Sequence, residues 1–99
     1  MGGPGGPGAE AGGAVAPAGA TAKQGIYAKH AGDYDKALAI FEANLSSNPN
    51  DQLALWGKAW IQAERGQKIE AVETFNKFLA LSKDKPKIKE GKAALSRLK

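Results

Sequence analysis

The sequence contains no cysteine and only one histidine. Without cysteine neither a disulfide nor a thiolate metal site can form, and such a chain suits a reducing compartment, so a cytoplasmic location is expected. The single histidine, His30, has no nucleophile or orienting third group at a recognisable spacing, so nucleophilic catalysis is not expected. The acidic pairs Asp33/Asp35 and Glu70/Glu73 fall at helix starts, where negative charge complements the helix dipole, and do not read as a hydrolytic pair. No metal-ligand cluster and no cofactor motif is present, so the expectation is a non-enzymatic protein with no cofactor and no small-molecule substrate. No apolar run approaches the roughly 20 residues of a membrane span. The opening residues lack a basic n-region and a Leu-rich core, so no secretory signal is expected. Gly6 stands where a myristoylation pattern needs Ser or Thr.

The composition that remains is uneven. Residues 1–20 are almost entirely Gly, Ala and Pro, which raise backbone entropy and remove donors without offering a core. They predict a flexible leader. They carry no strict Gly-X-Y period and no Gly-Lys-Ser/Thr ending, so they are neither collagen-like nor a phosphate loop. The net charge is +4, but Lys83 to Lys99 holds seven basic residues against Asp84 and Glu90. A near-neutral body therefore carries a basic end.

The body repeats itself. Gly32 and Gly66, Ala37 and Ala71, Leu38 and Val72, Phe41 and Phe75, and Leu45 and Leu79 are each 34 positions apart. Such a period means one supersecondary unit built twice. Thr21 to Ala31 is Ala-rich and helical in pattern, and Gly32 breaks it. Asp33 suits the N-cap of a second helix whose apolar stripe is Tyr34, Ala37, Leu38, Phe41 and Leu45. Ser46 to Pro49 ends that helix, because the residue before a proline is pushed out of the helical region. Asn50 or Asp51 can cap a third helix running through Leu53, Trp56 and Trp60 to Arg65, which Gly66 terminates. A fourth takes Ile69, Val72, Phe75, Phe78 and Leu79, and Pro86 suits the first turn of a fifth. In the fifth, Gly91-Lys92-Ala93 returns Gly57-Lys58-Ala59 after the same period, as the first helix of a third unit.

At these residues the sequence resembles the tetratricopeptide repeat family. Gly25 and Ala37, then Ala59 and Ala71, stand where the family has small residues at helix crossings, and Phe41 and Phe75 take its aromatic position. Asn44 and Phe78 replace a further small residue, and Lys83 replaces the proline that Pro49 supplies in the first unit. The resemblance implies an all-α fold of five helices, with antiparallel helical hairpins stacked as a short right-handed solenoid. It divides residues 21–99 into a repeat of about 18–51, a second of about 52–85 and a capping helix of about 86–98. It also implies a protein-binding module, an adaptor or scaffold, that takes a peptide or partner helix in a concave groove lined by first helices. The matching stations are Ala22, Ile26, Lys29 and His30, then Leu53, Trp56, Gly57, Trp60 and Glu64, then Lys87, Glu90, Gly91, Ala94 and Arg97.

Within that set Trp56 and Trp60 share a helix face, four residues apart, and read as an aromatic floor. Gly57 beside them reads as a place where a partner backbone could come close. On this reading Trp56→Ala weakens partner binding without unfolding the domain. The family's terminal-carboxylate clamp does not match, since Ala22, Ile26 and Gly57 stand where its Lys and Asn residues belong. Two other readings stay open. Two and a half units fall short of the usual three, so the repeats could serve self-association into a homo-oligomer or a larger complex. The lysines from Lys83 to Lys99 could meet nucleic acid or an anionic membrane surface, but no aromatic is interleaved with them, which ranks this reading last.

Overall fold

The computed structural model describes residues 19–99, so most of the expected leader lies outside the described residues. Five helices follow one another: α1 (Ala22–His30), α2 (Tyr34–Ser47), α3 (Gln52–Glu64), α4 (Lys68–Leu81) and α5 (Lys85–Leu98). Their boundaries have local causes. Thr21 is the N-cap of α1 rather than its first residue: its hydroxyl accepts from Gln24 N, and Gln24 Oε1 accepts from Thr21 N at 2.8 Å. Asp33, Asp51 and Asp84 cap α2, α3 and α5, each through a carboxylate oxygen that accepts from the backbone three residues on. Gln67 is the N-cap of α4 but makes no side-chain cap hydrogen bond.

The two repeated glycines close α1 and α3 in the same way. Gly32 (φ +85°) and Gly66 (φ +78°) adopt the left-handed conformation. This lets Asp33 N donate to Ala28 O and Gln67 N to Gln62 O, both at 2.9 Å, which satisfies carbonyls at the helix ends. The chain then turns back, so α2 packs along α1 and α4 along α3.

α3 is the central element and touches α1, α2 and α4. One apolar cluster joins the hairpins through Ala22, Ala37, Phe41, Ala54 and Ile61. A second joins the second hairpin to α5 through Leu55, Trp56, Phe75, Phe78, Ala94 and Leu95. Phe41, Phe75, Phe78, Ile40 and Ile61 are the largest fully buried side chains, each contributing roughly 1.5–3 kcal/mol by leaving water. Both departures from the family's small residue are accommodated. The Asn44 amide donates to Ala20 O at 3.1 Å and Ile40 O at 2.8 Å, and the Phe78 ring centroid lies 4.8 Å from that of Trp56. One expected core residue is not core. Ile69 is 76% exposed, because it sits in the first turn of α4 and points away from the helices α4 packs against.

The Phe41 ring is gripped by two glycines. A Cβ added to Gly25 would lie 2.5 Å from Phe41 Cε1, and one added to Gly57 would lie 2.2 Å from Phe41 Cζ. The absence of both side chains lets α2 lie close to α1 and α3 at once. The buried polar pair Gln62 and Thr74 links α3 to α4, with the Thr74 hydroxyl 2.7 Å from the Gln62 amide and 2.9 Å from Glu70 O. One hydroxyl proton and one accepting lone pair satisfy both contacts when the amide turns its NH2 toward Thr74.

Candidate functional site

α1, α3 and α5 are the first helices of successive units. Between them lies a hollow of about 240 Å3. Ile26, Lys29 and His30 line it from α1, Leu53, Trp56, Gly57 and Trp60 from α3, and Lys87 from the first turns of α5. An adjoining hollow of about 210 Å3 sits between α3 and α5, with Glu64, Ala63, Ala94, Arg97 and Leu98 around it and Trp60 as the shared wall. The fold thus gathers Ile26, Lys29, Leu53, Trp56, Gly57, Trp60 and Lys87 around one depression and puts Glu64 on its neighbour.

Not all of them face outward. Trp56 is only 9% exposed, with its ring centroid 4.8 Å from Phe78 and 6.1 Å from Phe75. Its role is core packing first, against the expectation of a free aromatic floor. Gly57 is buried, and the space it leaves is filled by Phe41 rather than offered to a partner. Ala22, Gly91 and Ala94 are buried as well. A Cβ on Gly91 would sit 3.2 Å from Leu79 Cδ2 and 3.5 Å from Trp56 Cζ3, which shows how α5 closes over the second hairpin. Trp60 is half-buried, held edge-on 5.6 Å from Trp56 and 5.2 Å from Phe75. The accessible apolar lip is therefore Trp60, Ile26 and Leu53.

A polar network at one end was not foreseen. The Glu64 carboxylate accepts from the Tyr34 hydroxyl and from Lys29 Nζ at 3.2 Å, and Lys29 Nζ lies 5.7 Å from the centre of the Tyr34 ring. Beside it Arg65 Nη2 donates to Asp35 Oδ1 at 2.7 Å. These contacts tie the end of α3 to the end of α1 and the start of α2. The Tyr34 hydroxyl is the main reason the Glu64 carboxyl stays below the usual carboxylate value, with Lys29 helping and partial burial opposing. The same bond raises the Tyr34 hydroxyl above its usual 10.0. A carboxyl lowered in the fold binds fewer protons there than in the unfolded chain. Its contribution to stability is present above the unfolded value near 4.5 and disappears as the pH falls through the lower folded value. The tyrosine contribution is present below pH 10.0 and disappears as the pH rises through the raised value. Urea unfolding at pH 7 and pH 3 is expected to show a smaller acid-induced loss in Tyr34→Phe than in the unaltered chain. An equal loss in both would mean the hydroxyl does not hold Glu64.

α5 carries Lys85, Lys89 and Lys92 on exposed positions, with the exposed Lys99 at its C-cap, and its buried residues Gly91, Ala94 and Leu95 face the second hairpin. Lys87 pairs with Asp84 at 3.3 Å, an exposed pair of little energetic weight. Among the described residues no group of His, Asp and Glu side chains could hold a metal ion, and no helix is long and apolar enough to cross a membrane.

A sequence profile of a family described as tetratricopeptide repeat matches residues 28–95. Neither a search of curated proteins nor one of solved structures found a match.

Proposed function

The chain belongs to the tetratricopeptide repeat family, a non-catalytic scaffold whose repeats generally mediate protein–protein interaction, and on that footing we propose that it binds a peptide or helix of a partner protein in the hollow between α1, α3 and α5. One observation carries this reading. An apolar lip of Ile26, Leu53 and Trp60 faces the same depression as the polar groups of Lys29, His30 and Lys87. Apolar side chains supply area to bury, and the few polar groups around them set the orientation of whatever is bound. Because the Lys29 ammonium is already engaged by Glu64, the wall near the α1 end is pre-organised, and little ordering entropy remains to be lost there on binding.

The test uses a residue at the lip, since Trp56 and Gly57 belong to the core. Ile26→Glu puts a charge in the hollow at a half-buried position on α1. Affinity capture with the unaltered chain and with this variant, from lysate of the source cells, is expected to show at least one protein retained by the first and lost by the second. The helical signal of the two should match. If every captured protein survives the substitution, the groove is not the binding surface.

A further inference from the structure

The 34-residue period allows each surface of the first hairpin to be compared with its counterpart in the second. The side that α3 turns toward the first hairpin carries Ala54 and Ile61, both fully buried in a cluster with Ala22, Ala37 and Phe41. One period earlier stand Ala20 and Tyr27. Among the described residues nothing covers that side of the first hairpin: Tyr27 is 61% exposed, where Ile61 has no exposure at all. Tyr27 borders a hollow of about 300 Å3 together with Ala20, Gln24, Ala28, Lys36 and Ile40. A further hollow of about 180 Å3 continues along α2 past Ala43 and Ser47.

We propose that this side of α1 and α2 is a second docking surface, for an α-helix of another polypeptide that presents small apolar residues flanked by carboxylates. The interface inside the chain shows what such a surface accepts. α2 covers α3 with Ala37 and Phe41, and sends Asp35 to Arg65 at 2.7 Å and Glu42 to Lys58 at 3.8 Å. On the open side the cations are Lys23 and Lys36, and neither enters an ion pair among the described residues. A covering helix therefore meets positive charge and answers it with carboxylates. Tyr27 supplies a rigid amphipathic anchor of the kind enriched at interfaces.

The register says more. Lys23 occupies the station of Gly57, whose missing side chain is what admits the Phe41 ring. A helix bringing phenylalanine to that point collides with the Lys23 stem, so small residues fit there and a copy of α2 in its own register does not. Nor is the other end of a second copy suited. It is covered by α5, whose exposed lysines would oppose Lys23 and Lys36.

The test is an NMR titration of the full chain with a stapled helical peptide of residues 34–47 carrying Phe41→Ala. Resonances of Gln24, Tyr27, Ala28 and Ile40 are expected to shift. Affinity is expected to fall at least tenfold with Tyr27→Lys or Lys36→Glu, both exposed positions that leave the fold intact, and at least tenfold when the peptide keeps its phenylalanine. Absence of binding, shifts confined to Ile26 and Trp60, or indifference to Tyr27→Lys overturns the proposal. A second copy as the occupant also overturns it, and would show as a concentration-dependent dimer in sedimentation that Tyr27→Lys dissociates. So would residues 1–18, if a chain shortened to 19–99 changes the Tyr27 resonances without any peptide.

Discussion

Trp56→Ala is expected to unfold the domain rather than blunt its groove. The indole is nearly buried, stacked within 4.8 Å of Phe78 and near Phe75 and Trp60, and its far edge supports the α5 backbone at Gly91. Truncating a buried aromatic costs about 3–5 kcal/mol, because transfer energy is lost and a cavity opens that neighbours only partly refill. A domain of this size holds only about 5 kcal/mol or a little more in total. At about 4–8 °C per kcal/mol, the melting midpoint should fall by at least about 12 °C, read from far-ultraviolet circular dichroism. Greater loss is expected from α5, whose contacts depend on the ring, so its amides should lose hydrogen-exchange protection first. An unchanged melt would place the ring outside the core.

Gly57→Ala is expected to be the second severe change, although it adds one methyl group. Mid-helix alanine normally gains about 1 kcal/mol over glycine. Here the added Cβ would fall between 2.2 and 2.8 Å from three atoms of the Phe41 ring. The ring has little room to step aside, since Gly25 lies against overlapping ring atoms, with a Cβ there 2.5 Å from Cε1, and the residue has no exposure. Overpacking of this kind costs about 1–3 kcal/mol or somewhat more, which outweighs the helix gain. Net destabilisation of up to about 2 kcal/mol is expected in urea unfolding. Phe41→Leu in the same chain should cost less than it does alone, because the smaller side chain yields room for the methyl. Strict additivity of the two changes would show that the ring is not what limits position 57.

Local features of this fold were legible in the sequence and contacts across it were not. Gly32 and Gly66 announce helix ends because the left-handed turn they supply is needed at one residue and nowhere else. Asp33 and Asp51 announce helix starts for the same local reason. The hairpin order and the gathering of Ile26, Leu53, Trp60 and Lys87 on one side follow from the period. The burial of Trp56 is not legible because its counterpart one period earlier is Ala22, so the repeat gives no hint of how the larger ring is covered. Covering it falls to Phe78 and α5, and neither choice is visible in a helical stripe. Ile69 fits the apolar spacing of α4, yet lies a turn too early to meet another helix. The bond from Tyr34 to Glu64 joins residues 30 apart, which matches no periodic signal.

The gripped Phe41 ring has one more effect, on the way the molecule comes apart. It lies sixteen residues from each of the two glycines that flank it, so one side chain belongs equally to the closing of the first hairpin and to the arrival of α3. Long arrays can fray from an end because each brick is largely complete before its neighbour joins. In this chain the first brick has an unlidded aromatic until the second is in place. Melting is accordingly expected to be all-or-none, with circular dichroism showing both hairpins lost at one temperature.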